Sequence, residues 1–432
     1  MRKIFQKTLV AALILGSIGV SAQSKRDLDN YRYTDKRGVN VFEAPKTLDS
    51  NFDGLKVRLG GSFALQYQGI SHENSGSVRL QPIGANFNLA TANLDIDVVL
   101  YDGVSMHLRT FLSSRHHHET YVKGGYLQVN KLDFIKEGFV EDFMKYTTIK
   151  VGHMENNYSD AHFRRTDNAQ SLHNPFVGNL IMDSYTTEVG AEVLVRKNGF
   201  IGMVGVTNGK LNQSVEKTEE TLLDGTYEEG RSGGASFLAK LGYDKQINND
   251  LRIRITGSMY NTGYVPNSYL YAADRAGSRY YGVMIAAGAA SDDFRSGRYN
   301  PNLKNSISAI MFNPFIKYKG LEFFGTVETA TGKATAELED RTANQLAGEL
   351  IYRFGKNENL YIGGRYNMVD AEDMTHGDVE IKRSQLVAGW YMTNNILMKM
   401  EYVNQKYEGF GATSTLEQGK FNGVILEAAI SF

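Results

Sequence analysis

Residues 421–432, FNGVILEAAISF, carry an apolar side chain at every second position. Successive residues of a β-strand point to opposite faces, so this alternation predicts a strand with one continuous apolar face. The opposite face is mixed and includes an acidic residue, Glu427. The predicted apolar face consists of Val424, Leu426, Ala428, Ile430 and Phe432.

The same period of two recurs along most of the chain. In LRIRITGSMY (251–260) the aliphatic residues share one face, while Arg252 and Arg254 share the other. Residues 55–67 and 396–407 alternate in the same way. A membrane-crossing strand has about 9–11 residues, whereas strands of soluble proteins average about 5–6. The length of the alternating stretches therefore favours strands that cross a membrane.

The connections between these stretches alternate between short and long. Regular alternation of short and long polar connections is typical of an up-and-down barrel with short periplasmic turns and long outer loops. The tight turns lie at 101–104, 197–199, 248–250, 318–320, 356–359 and 394–395. The long polar stretches lie at 69–86, 155–184, 209–234, 261–306, 332–342, 371–379 and 408–420.

The predicted fold is an all-β, transmembrane, antiparallel up-and-down barrel of about sixteen strands. An even number of strands leaves both ends of such a barrel on the periplasmic side. The predicted strands are 55–67, 87–101, 104–114, 121–131, 147–154, 185–197, 200–208, 235–246, 251–260, 307–318, 321–331, 343–354, 359–369, 380–393, 396–407 and 421–432.

Two stretches do not fit the alternation. YYGVMIAAGAA (280–290) lies inside the longest loop, where we expect a hairpin or a short helix. Residues 132–146 lie on the turn side and space Phe134, Phe139 and Phe143 as a helix would, so a small periplasmic helix is expected there.

The N-terminal residues predict export. Residues 1–22 combine early basic residues, an apolar run of about a dozen residues and a small-residue cleavage site, as signal peptides do. That run is too short to span about 30 Å of hydrocarbon as a helix. We expect a periplasmic segment at 23–54, a barrel at 55–432 and a location in the outer membrane, in contact with its lipids. The net charge of −1 gives no reason to expect a nucleic-acid partner.

A barrel of sixteen strands leaves a water-filled lumen. We therefore expect a channel for passive diffusion of small hydrophilic solutes, lined by the charged faces of the strands. A modest surplus of basic residues on those faces indicates a weak preference for anions such as phosphate. The alternative is that these charges pair across neighbouring strands and only stiffen the wall. The predicted lining residues are Arg58, Arg109, Arg252, Arg254, Arg365, Lys399 and Glu401.

Residues 155–184, the third outer loop, mix charged residues with apolar anchors, Tyr158, Phe163, Phe176, Val177, Leu180 and Ile181. Such anchors need a surface to pack against, so we expect this loop to fold into the barrel. Its charged side chains would then form the pore constriction. The alternative is an outer lid held by arginine–aspartate pairs. The predicted constriction residues are Asp160, His162, Arg164, Arg165 and Asp167.

The segment VGHMENNYSDAHFRRTDNAQSLHNPFVGN (151–179) resembles porin-like proteins of the phosphate-selective porin O and P superfamily of Gram-negative outer membranes. The resemblance implies an outer-membrane porin that assembles as a homotrimer. In the phosphate-selective members, clustered arginines and lysines line the pore. The third loop here has no lysine cluster, and acidic residues lie between its arginines.

Two other classes of function are considered. A barrel enzyme would need a nucleophile beside His107 or His153, and no known catalytic motif supplies one, so we predict no enzymatic activity. An adhesin or ligand-binding barrel would use the tyrosines of 261–306, which could stack on sugars. We expect no metal or cofactor site. The run His116–His118 is more simply explained as an exposed polar loop tip. The six tyrosines are Tyr264, Tyr269, Tyr271, Tyr280, Tyr281 and Tyr299.

Overall fold

The computed structural model describes residues 28–48, 50, 52–112, 119–166, 170–210, 219–229, 233–272, 279–289 and 295–432. In this part of the chain sixteen antiparallel strands pair with their neighbours and close into a barrel, so the predicted fold class and strand number are confirmed. The barrel strands are β1 (Lys56–Glu73), β2 (Asn86–Tyr101), β3 (Val104–Leu112), β4 (Tyr121–Val129), β5 (Thr147–Glu155), β6 (Thr187–Lys197), β7 (Phe200–Thr207), β10 (Ser236–Gln246), β11 (Leu251–Thr262), β12 (Ser306–Tyr318), β13 (Leu321–Lys333), β14 (Arg341–Phe354), β15 (Leu360–Asp373), β16 (Gly377–Thr393), β17 (Ile396–Glu408) and β18 (Lys420–Ser431). Between β7 and β10, β8 (Glu219–Thr221) and β9 (Tyr227–Glu229) form a separate hairpin that the sequence did not predict.

The barrel closes where the first strand meets the last. The Gly61 amide donates to the Phe432 carbonyl at 3.1 Å, and the Phe432 amide donates back to Gly61 at 3.0 Å. A Cβ atom on Gly61 would lie 2.7 Å from the Phe432 ring. Glycine at this position therefore lets the C-terminal ring lie against β1.

The alternating faces are confirmed. Outward side chains such as Leu241, Ile310 and Leu386 are 63–73% exposed, whereas the inward Arg254 is fully buried. At the strand ends next to the short turns, which we call the turn side, outward aromatic residues form a belt, as expected where a barrel meets a membrane surface. These include Tyr101, Phe200, Tyr318, Tyr352 and Trp390.

The inward faces are polar only in part. On the loop side, the opposite end of the barrel, inward residues such as Met311, Val369, Ile381 and Phe421 are buried and apolar. They belong to one large hydrophobic cluster that also contains loop residues such as Val283. The expectation that charged faces of the strands line the lumen is therefore wrong for the loop side, because the loops fold back there and need apolar surface to pack against.

The two irregular stretches turn out differently. Residues 132–146 contain a single helical turn, Glu141–Met144, so the predicted helix is confirmed only for these four residues. The described part of 280–290 forms neither a hairpin nor a helix, and that prediction is wrong. It is a series of turns with one bridge, from Ala286 to Leu80. No helix in the described residues is long and apolar enough to cross a membrane.

Candidate functional site

The segment before β1, residues 28–48, lies inside the turn-side end of the lumen. We call it the N-terminal segment. The Tyr31 hydroxyl donates to the Met106 carbonyl at 2.7 Å on one side of the barrel. On the other side, the Lys36 amide donates to the carbonyl of Asn394, in a short turn, at 2.8 Å. The segment therefore spans the barrel opening.

The third loop, residues 156–186, also lies within the barrel. Asp160 forms an ion pair with Arg254 of β11 at 2.7 Å. Arg164 bridges Glu322 of β13 at 2.8 Å and Glu349 of β14 at 3.0 Å. Because inward side chains of different strands hold this loop, its position agrees with the predicted folding into the barrel and not with an outer lid.

The fifth loop, residues 263–305, is the third segment that fills the lumen. The Tyr271 hydroxyl donates to Glu328 at 2.9 Å, and the Tyr280 hydroxyl donates to Glu401 at 2.6 Å. Of the six tyrosines considered for sugar binding, four are buried. The buried tyrosines hold the loop to the wall and are not available for stacking at an outer surface. The four are Tyr271, Tyr280, Tyr281 and Tyr299.

Two wall carboxylates join the third and fifth loops. Glu401 accepts hydrogen bonds from the Val177 amide at 2.7 Å and from the fifth-loop Tyr280. Glu328 accepts hydrogen bonds from Tyr158 of the third loop and Tyr271 of the fifth, at 3.0 and 2.9 Å. Displacing either loop would leave these buried acceptors unpaired, so the two loops stabilise each other.

An ion cluster joins the N-terminal segment to the third loop. Arg254 contacts Glu43 at 2.6 Å and Asp160 at 2.7 Å, and Lys240 reaches Asp160 at 3.2 Å. Burial by itself would raise the pKa of the Asp160 carboxyl, but Arg254 and Lys240 hold that pKa below its usual range. The aspartate therefore stays charged, and the cluster remains an ion network at neutral pH.

The predicted lining residues face inward, but each is paired. Lys399 contacts Glu427 at 2.7 Å and also donates to third-loop carbonyls, including Phe176. Arg365 binds Glu349 at 2.7 Å, and Arg252 binds Asp244 at the same distance. The remaining four are equally engaged. Arg58 pairs with Asp97, Arg109 with Asp95, and Arg254 with Glu43 and Asp160, while Glu401 accepts the loop amides and Tyr280.

Four of the five predicted constriction residues lie together in the lumen, and Asp167 lies outside the described residues. Arg165 binds Asp183 of its own loop at 2.7 Å. This is an arginine–aspartate pair within the loop, of the kind expected under the alternative of an outer lid. His162 is buried, and neither ring nitrogen has a hydrogen-bond partner in the described structure. Burial and the nearby Lys240 lower the pKa of His162 well below its usual value, so the ring is neutral. That these residues form a constriction stays a prediction.

A cavity of about 140 Å³ remains between the N-terminal segment, the third loop and strands β1–β5. We call these five strands the cavity wall. Its basic residues pair along the wall. Arg58 contacts Asp97 at 2.7 Å, and Lys150 contacts Glu192 at 3.3 Å. The charged lining consists of Arg32, Arg58, Arg109, Lys123 and Lys150, with Asp97 and Glu155 as the acidic members. Asp95 and Glu192, outside this lining, pair with Arg109 and Lys150, so five basic groups stand against four carboxylates.

Sequence reasoning missed Arg32 and Lys123 as cavity residues. The sequence could have indicated the inward position of Lys123, because Lys123 is the one charged residue of β4 and a charged residue of a membrane-spanning strand faces inward. The sequence could not have indicated the position of Arg32, because nothing in residues 28–48 indicated that the segment enters the barrel. Among the described residues no group of histidines and carboxylates could hold a metal ion. The run His116–His118 lies outside the described residues.

No family model and no curated protein matches this sequence. Among solved structures, the chain is similar to an anion-selective porin from Comamonas acidovorans, with a TM-score of 0.52, 12% identity and coverage of 88% of this chain and 100% of that one. It is also similar to the outer-membrane protein OmpT of Vibrio cholerae in its trimer form, with a TM-score of 0.50, 10% identity and coverage of 88% and 100%. At these identities the likeness shows a porin-like fold. Membership of the phosphate-selective superfamily is not confirmed.

Proposed function

We propose that this protein is an outer-membrane porin through which small hydrophilic solutes diffuse, with a preference for anions. The observation that carries the proposal is the cavity between the N-terminal segment, the third loop and the cavity wall, whose five basic side chains outnumber the four carboxylates that line it or pair with its cations. The porin-like fold supports the same function. Export by the signal peptide at 1–22 and assembly as a homotrimer are parts of the proposal.

The size of the cavity limits the solute. The cavity volume of about 140 Å³ is well above the space that one water molecule needs, so the cavity admits a small solute. Basic groups with water-excluding walls attract anions more strongly than the same groups in open solvent. The solutes that fit best are therefore small anions, which pass one at a time along the cavity wall.

The contacts of His107 give no support to an enzyme. Its Nδ1 lies 2.5 Å from Asp97, an arrangement that can orient a general base. Within the described residues, however, no serine or threonine hydroxyl bonds to its other ring nitrogen. In this part of the chain the His–Asp pair has no nucleophile beside it, and passive diffusion is the function we propose.

The test is conductance in planar bilayers under a salt gradient. The full-length chain should give small current steps, with a reversal potential on the anion-selective side. A variant whose residues 28–48 are replaced by a glycine–serine linker of equal length should conduct several-fold more, because the segment no longer spans the opening of a sixteen-strand lumen.

The linker variant keeps the chain length, so it separates loss of the filling segment from a change in chain length. Chemical cross-linking of the same preparation should give a trimer. Absence of current from both folded proteins would contradict the channel, and cation selectivity would contradict the preference for anions.

A further inference from the structure

Arg32 is a cation whose contacts are all with neutral acceptors. Its Nη1 donates to the Gln170 side-chain oxygen at 2.6 Å, and its Nη2 donates to the carbonyls of Phe163 at 2.9 Å and Gly38 at 3.1 Å. Its Nε has no partner, and no carboxylate lies within ion-pair distance of the guanidinium among the described residues. The positive charge is therefore solvated by dipoles and is not neutralised.

The other arginines of the cavity differ from Arg32 in this respect. Arg58 and Arg109 each contact an aspartate of β2 at 2.7 Å. Burial lowers the pKa of Arg32, although the more distant Glu155 and Glu43 act in the opposite direction, and Arg164 and Arg109 lower it further. Burying a charge without a counter-charge is costly, so an anion bound at Arg32 would relieve that cost.

His173 of the third loop stands beside Arg32. The Gly38 carbonyl accepts from Arg32, and a Cβ atom on Gly38 would lie 2.5 Å from His173 Nε2. His173 Nε2 lies 3.1 Å from the Asp35 carbonyl, which can only accept, so the proton is on Nε2 and Nδ1 is a bare acceptor. Nδ1 has no partner in the described structure. Burial and Arg32 lower the pKa of His173 well below its usual value, so the ring stays neutral.

We infer that Arg32 and His173 form a binding site for a small oxyanion that also carries a hydroxyl group, such as a 2-hydroxy carboxylate. The inference rests on the proposed function and names the class of solute. The oxyanion accepts the fork of N–H groups from Arg32, and the hydroxyl donates to Nδ1 of His173. Dihydrogen phosphate combines the same two groups and is the second source of this chemistry.

Binding at this site also affects the filling segments. Arg32 belongs to the N-terminal segment, whereas Gln170 and Phe163, which accept from it, belong to the third loop. An anion that takes over these hydrogen bonds removes one of the ties between the two segments. The solute thus loosens the contact that borders its own cavity.

The experiment measures how lactate, propionate and phosphate each reduce the chloride current of the full-length channel. Lactate should give half-saturation at a concentration about fivefold lower than propionate, which differs by lacking the hydroxyl. Arg32→Gln should weaken binding of all three anions by about tenfold or more. His173→Phe should remove the advantage of lactate and leave propionate unchanged. Comparison of lactate with phosphate decides which source the site prefers.

Arg37→Gln is the matched control, because Arg37 lies on the same segment, is 47% exposed and does not line the cavity. If Arg32→Gln does not fold, Arg32→Lys keeps the positive charge and tests whether anion binding needs the paired N–H donors of the guanidinium group. Equal half-saturation for lactate and propionate would overturn the hydroxyl contact, and equal effects of Arg32→Gln and Arg37→Gln would overturn the site. In either case a wild-type channel that still prefers anions leaves the proposed function standing.

Discussion

The cavity wall and the wall across the lumen from it use their inward charges differently. On the cavity wall, charges pair with neighbouring strands, as Arg58 does with Asp97, and the side chains of Arg58 and Lys150 stay 24% and 27% exposed. On the opposite wall, strands β11–β17, which we call the filled wall, some charges also pair across strands, as Arg365 does with Glu349, but others bind the loops and the N-terminal segment. Arg254 is fully buried between Asp160 and Glu43.

Strand length differs between part of the cavity wall and the filled wall, although β1 and β2 of the cavity wall have 18 and 16 residues. Strands β3, β4 and β5 have nine residues each, whereas strands β11–β17 have 12–17. Longer strands offer inward positions on the loop side, where apolar residues pack against the third and fifth loops. Wall charges in one barrel thus serve two purposes: on one side they hold the filling segments, and on the other they remain in contact with the cavity.

The largest expected difference between the walls is in stability. Arg254→Ala leaves Asp160 and Glu43 buried without their main cation and should lower the free energy of unfolding by about 3–5 kcal/mol. Arg58→Ala removes a partly exposed pair, and His107 still contacts Asp97 at 2.5 Å, so the expected loss is about 1 kcal/mol. Denaturant unfolding in micelles, followed by the fluorescence of the single tryptophan, Trp390, measures both. Equal losses would remove the distinction between the walls.

A smaller difference is expected in ion selectivity. Lys150→Gln removes a cation that lines the cavity and should reduce the anion-to-cation permeability ratio by about threefold, the effect of one unit charge at close range in water. Lys317→Gln is the matched control on the filled wall, because Lys317 pairs with Glu358 at 2.6 Å near a turn and is similarly exposed. Reversal potentials under a salt gradient give both ratios. A shift of equal size in the control would mean that the permeating ions do not follow the cavity wall.

The smallest effect concerns the pH dependence of the N-terminal segment. Lys46 donates to the Asn130 carbonyl at 2.9 Å, and burial together with Arg196 and Lys131 lowers its pKa to about 8. A group with a lower pKa in the docked state binds fewer protons there, so docking becomes more favourable as pH rises from about 8 towards the unperturbed value of about 10.4. Because the docked N-terminal segment spans the barrel opening, openings of the channel should become rarer as pH rises over this range.

Lys46→Gln should make the frequency of openings independent of pH in the same range, because the titrating group is gone. Lys145→Gln, on an exposed turn, is the control and should keep the wild-type response. An increase of openings with pH in the wild type would reverse the assigned sign.

The strands could be predicted from the sequence because a membrane-facing wall requires apolar residues at every second position, as in 251–260 and 421–432. The inward direction of Arg254 and Lys399 followed from the same rule. Lys399 pairs with Glu427, which lies opposite it on the neighbouring strand. The partners of Arg254 could not be predicted, because Glu43 and Asp160 lie far away in sequence and in segments without periodicity. Residues 28–48 have the composition of an ordinary polar stretch. The position of Arg32 in the cavity could therefore not be predicted before the fold was known.

The seam between Gly61 and Phe432 sets the order of assembly. The strands that close the ring come from opposite ends of the chain, so this pairing has the largest loop-closure cost in the molecule and forms late. The N-terminal segment immediately precedes β1, one of the two strands of that seam. A ring that closed first would force the segment to enter a finished lumen in which Arg254 is already paired with Asp160 of the third loop. The segment is therefore best accommodated as the ring closes, which makes the final hydrogen bonds of the barrel also the step that encloses its contents.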